Sequence, residues 1–161
     1  HYRDNRLNPI HEGTHGIQSL DLLGRKVTQH GGAGLAELGR VIGETVAAAR
    51  RAGGEAAELA DRLDARWQRL VTITGELFAD GDIEAAMANS VTYLEACGHI
   101  VVAWIWLQQL LACGDRDGDF YAGKRQAARY FFRVELPRTD PQLDLLAARD
   151  RTALDMRDSW F

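Results

Sequence analysis

The chain has 161 residues, of which 46% are hydrophobic and 26% charged, and its formal net charge is -4. This is the composition of an ordinary globular domain that is long enough to bury one core. The acidic balance and the interleaving of arginines with acids argue against a nucleic-acid binder, which needs a basic surface for phosphates. No signal peptide is visible, and we expect a cytoplasmic chain.

An irregular segment followed by one helix is predicted for the first 30 residues. Asn8-Pro9 disfavours helix, so residues 1–13 should be irregular. Thr14 is a suitable N-cap for a helix over 14–29, and Gly31-Gly32 should end that helix. Apolar residues recur along one side of it, and we expect that side to face the core: Ile17, Leu20, Leu23 and Val27.

Five further helices are predicted, joined by short connections. Their ranges are 33–52, 55–79, 83–113, 120–136 and 141–149. Asp82 should cap the third of these five, which is the most apolar and therefore central, and Pro137 and Pro141 bracket a turn. The expected inward residues are Leu35, Leu38, Ile42, Val46, Leu59, Leu63, Trp67, Leu70, Ile73, Leu77, Tyr121, Ala128, Phe131 and Phe132.

The predicted fold is all-α: an up-and-down bundle of four or five long helices with an irregular N-terminal segment. No stretch of the sequence alternates with period two, as a half-buried strand would. Cys97 and Cys113 should be reduced and buried, because a helix would hold them about 24 Å apart along its axis. The apolar run 97–113 is shorter than a membrane span and includes His99, so it is interpreted as a core helix.

A zinc-protease pattern occurs near the start of the chain. His11-Glu12-Gly13-Thr14-His15 matches H-E-x-x-H, in which two histidines on one helix face hold zinc beside a glutamate base. Pro9 and Gly13 instead indicate the start of a helix, and the extended form of the pattern fails at Gln18. A zinc metalloprotease stays an alternative, but we assign no metal ligand.

A longer stretch fits a second pattern. The residues that carry it are Tyr2-Arg3-Asp4, Ile10-His11-Glu12-Gly13-Thr14, Ile17-Gln18 and Leu20-Asp21-Leu22-Leu23-Gly24-Arg25-Lys26. Together they resemble the catalytic-base segment of acyl-CoA dehydrogenases, most closely the large bacterial subgroup with an additional C-terminal helical domain. By this resemblance, residues 1–30 are the end of the catalytic domain, a base-bearing loop and one helix. Residues 33–161 are then the appended helical bundle.

The resemblance implies a role for each residue of this segment. Glu12 is the base that removes the α-proton of an acyl-CoA thioester, while the β-hydrogen leaves as hydride to FAD. A dry acyl pocket would raise the proton affinity of such a carboxylate. Gly13 lets the backbone approach the substrate, and Thr14, His15 and Gly16 contact the flavin dinucleotide. His11 replaces a tyrosine that is common in the family, and Gly16 replaces a glutamine.

The resemblance also implies partners: acyl-CoA as substrate, an electron-transfer flavoprotein as electron acceptor, and a homo-oligomer, either dimer or tetramer. Because the chain starts abruptly at His1, we expect a piece of a larger polypeptide that alone is inactive and does not hold FAD tightly. A hypothesis of another class is that residues 33–161 form a structural or oligomerisation module without catalysis. Trp104 and Trp106 point in different directions, so that one is free to face a partner.

Two other patterns have ordinary structural interpretations. The segment 115–119 resembles a calcium loop, but Phe120 and Gln126 stand where such a loop needs glycine and glutamate. We therefore expect a solvated turn between helices there. His99 is interpreted as a core or interface histidine with a hydrogen-bond partner rather than a metal ligand.

Overall fold

The structure is a computed structural model that describes residues 2–5 and 14–161. Helices account for most of these residues, and no strand occurs among them, which confirms the predicted all-α fold. The α-helices are α1 Tyr2–Asn5, α2 His15–Asp21, α3 Gln29–Ala52, α4 Gly54–Leu77, α5 Ile83–Met87, α6 Ser90–Cys113, α7 Asp119–Tyr130 and α8 Thr139–Ala147.

The first predicted helix, over 14–29, ends in an irregular stretch. α2 continues directly into a π-helical turn, Leu22–Lys26, and a sharp kink follows inside the first turn of α3. His30, Gly31 and Gly32 have φ values of 52°, 67° and 83° at this kink. Left-handed backbone is accessible to glycine at little cost, so Gly31-Gly32 supplies the change of direction that ends the first helical unit.

Three helices of 24 residues each, α3, α4 and α6, form the centre of the bundle, and α8 packs against α4 and α6. Because the apolar residues of α3 and α4 recur every three or four positions, each of these two helices presents one continuous apolar face to its neighbours. Most of the predicted inward positions are buried: Ile42, Val46, Leu59, Leu63, Trp67, Leu70, Ile73, Leu77, Ala128 and Phe132. Leu35, Leu38, Tyr121 and Phe131 are half-buried.

The prediction of a single helix over 83–113 was wrong, because the structure has two helices in this range, α5 and α6. Asp82 caps α5 as predicted, its Oδ1 accepting the backbone N–H of Ala85 at 3.0 Å. The chain then breaks at Asn89, whose Nδ2 donates to the backbone oxygen of Asp150 at 2.7 Å. The break is therefore stabilised by a contact with the far end of the chain.

α6 is the helix with the most neighbours, because it packs against α2, α3, α4, α7 and α8. By length and composition alone it would be long and apolar enough to cross a membrane, with a mean hydropathy of 1.5 over an 18-residue window. Only 33% of that window is buried, so α6 serves as a core helix on its inner side and leaves apolar residues exposed on its outer side.

The C-terminal part of the bundle returns along α6. α7 runs into a π-helical turn, Phe131–Glu135, and a 3₁₀ turn, Leu136–Arg138, before α8 begins. The turn predicted between Pro137 and Pro141 is thus a 3₁₀ turn that leads straight into α8, which takes in Pro141. A proline in the first turn of a helix leaves no intrahelical hydrogen bond unmade.

Candidate functional site

The predicted catalytic segment lies at the N-terminal side of α2. Glu12, Gly13 and His11 fall outside the described residues, so the base and substrate-contact predictions stay predictions. Thr14, the residue before α2, is exposed and its hydroxyl makes no capping hydrogen bond; only its backbone oxygen accepts, from the N–H of Gln18 at 2.8 Å. Thr14 is thus the N-cap residue of α2, as predicted, but its side chain does not make the capping hydrogen bond.

His15 and Gly16 form the exposed first turn of α2. Directly behind them, the side chain of Ser19 is fully buried. Its hydroxyl donates to the backbone oxygen of Gly16 at 2.8 Å and lies 3.0 Å from the hydroxyl of Ser90, at the start of α6. A buried hydroxyl that lacked such partners would destabilise the fold, so this pair holds the start of α2 against the bundle.

The run from Leu20 to Lys26 also has a structural role. Leu23 is fully buried, and a Cβ on Gly24 would lie 3.2 Å from the sulfur of Met87, so glycine permits the close packing of this turn against α5. Asp21 forms ion pairs with Arg25 at 2.5 Å and with Lys26 at 3.1 Å, and these cations lower the pKa of its carboxyl. The π-helical turn is thus held by packing on one side and by charges on the other.

Two of the residues predicted to face the core do not. Ile17 is 66% exposed and Leu20 is 51% exposed, whereas Leu23 and Val27 are buried as predicted. α2 is short, and the side that carries Ser19 packs against α6. The π-helical turn that follows α2 also packs against α6. The other side of α2 therefore has no neighbour in the part of the chain that the structure describes.

Two residues of the zinc-protease pattern, Thr14 and His15, are among the described residues. Thr14 precedes α2 and His15 is its first residue, so this part of the pattern lies at the start of a helix rather than within one. Over residues 2–5 and 14–161, no group of three or more histidine, cysteine, aspartate or glutamate side chains is placed to hold a metal ion. The segment 115–119 is a turn, as predicted, in which the guanidinium of Arg125 donates to the backbone oxygens of Gly114 at 3.1 Å and Arg116 at 2.5 Å. A protein cation thus binds the backbone carbonyls at the start of this turn.

His99 has partners within the bundle, as predicted. Its Nδ1 lies 2.9 Å from the backbone oxygen of Glu95, its Nε2 lies 3.8 Å from Glu135, and its ring stacks on Phe131. Both cysteines are free and buried, and burial raises the pKa of Cys97 to about 11, so its thiol stays protonated at neutral pH.

The two tryptophans of α6 do point in different directions. Trp104 is directed at α3, where its Nε1 donates to the hydroxyl of Thr45 at 2.8 Å. Trp106 is directed at α7, where Lys124 Nζ lies 5.4 Å from its ring centroid. Each ring is half-buried and makes a specific contact inside the bundle, as packing residues do.

Comparison with known proteins identifies the family. Residues 38–157 match the family model described as Acetyl-CoA dehydrogenase C-terminal like, and the chain belongs to this family. The 3-methylmercaptopropionyl-CoA dehydrogenase of Ruegeria pomeroyi is 37% identical over 105 residues, covering 64% of this chain and 18% of that protein. The broad-specificity linear acyl-CoA dehydrogenase of Mycobacterium tuberculosis is 27% identical over 175 residues, covering 99% of this chain and 28% of that protein.

The chain spans less than a third of the length of either relative. The family match covers the bundle, whose sequence showed only a general helical pattern. All the residues that carried the resemblance, 2–26, lie before the matched range. The predicted membership in the C-terminal region of the acyl-CoA dehydrogenase family is confirmed.

Proposed function

We propose that this chain is the C-terminal part of a flavin-dependent acyl-CoA dehydrogenase, which forms a double bond between the α and β carbons of an acyl-CoA thioester. The observation that carries the proposal is the family match over residues 38–157, directly following the segment that resembles the family's catalytic base. The names of both relatives, which describe acyl-CoA dehydrogenases, support it. An electron-transfer flavoprotein as acceptor and a cytoplasmic location stay predictions.

Glu12 is proposed as the base that removes the α-proton. The thioester carbonyl makes that proton acidic, and hydrogen bonds to the carbonyl oxygen stabilise the negative charge that develops on it. A glutamate in a water-excluded pocket has a raised proton affinity and is therefore suited to accept the proton. Gly13, which has no side chain, allows the backbone to come close to the substrate.

Thr14, His15 and Gly16 are proposed to contact the flavin dinucleotide. All three are exposed, and the Thr14 hydroxyl makes no hydrogen bond to the first turn of α2, so these residues are accessible to such a group. When bound, FAD supplies the acceptor for the hydride that leaves the β carbon. Ser19 supports the contact by holding Gly16 and the start of α6 together.

The exposed side of α2 supports a place for this segment within a larger enzyme. Ile17 and Leu20 present apolar side chains next to the residues proposed to contact flavin. Exposed apolar side chains that cluster on one helix face are typical of a surface that another part of a protein covers. We propose that the rest of the dehydrogenase covers this face.

The test is substitution of the base in the full-length dehydrogenase. Glu12→Gln should lower kcat by about 10²–10⁴-fold, because the amide cannot accept the proton, while the flavin absorbance of the purified protein is unchanged. Glu76→Gln changes an exposed carboxylate on α4 and serves as the matched control, with kcat expected to be unaltered. Full turnover by Glu12→Gln would exclude the base assignment.

A second measurement addresses the isolated chain. When the 161-residue chain is mixed with FAD and separated by gel filtration, we expect no yellow chromophore to travel with the protein. The described residues around α2 contribute only an exposed edge, which provides too few contacts to hold a dinucleotide. Co-elution of stoichiometric flavin would contradict this.

A further inference from the structure

A cleft opens between the C-terminal end of α6 and the first turn of α7. Its volume is about 210 Å³, and its walls are mostly apolar. A cavity of about 150 Å³ holds one benzene ring, so this cleft has room for a single ring with a short substituent. We call it the α6–α7 cleft, and the residues that line it include Ala112, Cys113, Arg116, Phe120, Tyr121 and Lys124.

Contacts within the chain fix the shape of the α6–α7 cleft. Arg125 reaches back from α7, and its guanidinium donates to the backbone oxygens of Gly114 and Arg116 in the turn. The rings of Phe120 and Tyr121 meet edge to face with their centroids 5.3 Å apart, and Arg116 Cζ lies 5.6 Å from the Tyr121 centroid. Sites for small ligands are concave, mostly apolar and largely formed before the ligand binds, and this cleft has those properties.

Lys124 places a cation beside this apolar surface. Its Nζ lies 5.4 Å from the ring centroid of Trp106 and 5.8 Å from that of Phe120. It also lies 3.0 Å from Gln109 Oε1, to which it donates one hydrogen bond. An ammonium group carries three donors, so Lys124 retains donors for a further acceptor while the two rings and the amide hold it in place.

Arg116 provides a second cation in the lining of the cleft. Among the described residues, neither Arg116 nor Lys124 forms an ion pair, although three aspartates lie in the segment 115–119. Arg129, on the same helix as Lys124, instead pairs with Glu55 at 2.6 Å. The cleft therefore has two positive charges with which no described carboxylate pairs.

The α6–α7 cleft lies at the far end of α6 from the segment proposed to contact flavin. That segment is attached through Ser19 to Ser90, the first residue of α6, whereas Cys113 in the cleft is the last residue of that helix. α6 has 24 residues, so its two ends are about 35 Å apart. A molecule of one ring in the cleft therefore cannot reach the start of α2, and the cleft is a separate site.

We propose that the α6–α7 cleft binds a small aromatic carboxylic acid in its ionised form. The ring lies against the apolar wall, where Phe120 is 68% exposed and offers an uncovered surface for stacking. The carboxylate accepts a charge-assisted hydrogen bond from Lys124 Nζ and lies near the guanidinium of Arg116. Burial of the ring supplies most of the affinity, and the two cations select an anion over a neutral or basic molecule.

Equilibrium dialysis with radiolabelled phenylacetate tests the proposal. The 161-residue chain should bind one molecule per chain with a dissociation constant of about 0.1–1 mM, which is the range expected for a ligand of this size. Phenylacetamide has the same ring but no charge, and it should compete about fivefold more weakly. Equal competition by the amide would show that the cations play no part in binding and would overturn the proposal.

Substitutions in the lining assign the binding to the cleft. Lys124→Met keeps an apolar side chain of similar length and should raise the dissociation constant for phenylacetate about fivefold, whereas Lys124→Arg keeps the charge and should keep the affinity. Ala112→Trp fills the cleft from an exposed position and should abolish binding. Arg62→Met removes an exposed cation from α4 and is the matched control, with the affinity expected to be unaltered.

The full-length dehydrogenase distinguishes a small molecule from the rest of the polypeptide as the occupant of the cleft. It should bind phenylacetate with the same affinity as the 161-residue chain, and an acyl-CoA should not displace the label. Binding by the 161-residue chain but not by the full-length protein would overturn the proposal, because another part of the polypeptide then covers the cleft. Displacement by acyl-CoA would also overturn it, because the acid then binds in the substrate site.

Two further outcomes count against the proposal. One is the absence of saturable phenylacetate binding to the 161-residue chain, and the other is binding that both Lys124→Met and Ala112→Trp leave unchanged. None of these readouts depends on Glu12 or on flavin, so a failure here leaves the proposed function unaffected.

Discussion

The segment that resembles a catalytic site and the bundle behind it are built in opposite ways. In the bundle, apolar residues at helical spacing are buried against neighbouring helices, as Leu63 and Ile100 are. In the segment 14–28, the same spacing leaves Ile17 and Leu20 exposed, and the contacts to the bundle come from the next turn and a buried serine. Helical spacing alone therefore does not establish that a face is in the core, because burial also requires a neighbour.

The two regions therefore differ in how they are stabilised. The bundle is stabilised by its own contacts, whereas the segment is attached to it at Ser19 and Leu23 and turns its remaining side outward. A segment that presents residues to a larger site needs an accessible face, and a rigid attachment keeps that face in position. The following predictions test this contrast, in order of expected effect.

The largest effect is expected from truncation of a buried leucine. Leu63→Ala should lower the free energy of unfolding by about 2–5 kcal/mol, because it removes buried methyl groups and leaves a cavity. Leu20→Ala, at a leucine that is 51% exposed, should change it by less than about 0.5 kcal/mol. Urea unfolding of the chain measures both, and equal losses would show that the segment is part of the core.

The kink between the two regions should respond to loss of a glycine. Gly31→Ala forces a side chain into left-handed backbone, at φ 67°, and should cost about 1–2 kcal/mol. Gly75→Ala, inside α4 with no described atom within 4 Å of the added Cβ, should instead stabilise the chain by about 0.5–1 kcal/mol. The two substitutions should thus shift the urea midpoint in opposite directions, and shifts of the same sign would contradict a strained kink.

The bundle should lose stability at alkaline pH through Tyr93. Burial raises the pKa of its hydroxyl from 10.0 to about 12, and the hydroxyl lies 2.8 Å from that of Thr74. Because the folded pKa exceeds the unfolded one, this contribution is complete below pH 10 and is lost as the pH rises toward 12. Between pH 10 and 12, ionisation of Tyr93 should lower the free energy of unfolding of the wild type by about 1 kcal/mol per pH unit. Tyr93→Phe should lack this contribution.

Tyr130→Phe is the control for that slope, because Tyr130 is exposed. Cys97, whose pKa burial raises to about 11, titrates in the same range, and its charge contributes to the raised pKa of Tyr93. Identical slopes for the wild type and Tyr93→Phe above pH 10 would show that Tyr93 does not titrate in this way.

The smallest effect concerns the attachment of α2. Ser19→Ala leaves the buried hydroxyl of Ser90 without its partner and should cost about 1 kcal/mol. Hydrogen exchange should then accelerate in α2, while the amides of α4 keep their wild-type protection. Ser159→Ala in the exposed C-terminal tail should change neither, and unaltered exchange in α2 of Ser19→Ala would place its attachment elsewhere.

Local signals in the sequence predicted most helix boundaries. The glycine pairs Gly31-Gly32 and Gly53-Gly54 adopt positive φ where helices change direction, and Asp82 caps α5, because both effects act within a few residues. The division of the predicted helix over 83–113 could not be foreseen. The break at Asn89 is stabilised by a hydrogen bond to the backbone of Asp150, which lies 61 residues later in the sequence. Ser19 was missed for the same reason: the partner that explains it is Ser90.

What the sequence determined by itself was the all-α fold, the positions of the long helices and, through residues 2–26, the resemblance to acyl-CoA dehydrogenases. These depend on neighbours in the chain: helical spacing, glycine conformation, and residue types that a chemistry requires. Only the tertiary structure decided which apolar faces are covered. The exposure of Ile17, Leu20 and Val102 follows from how the helices pack, and packing depends on contacts between residues far apart in sequence.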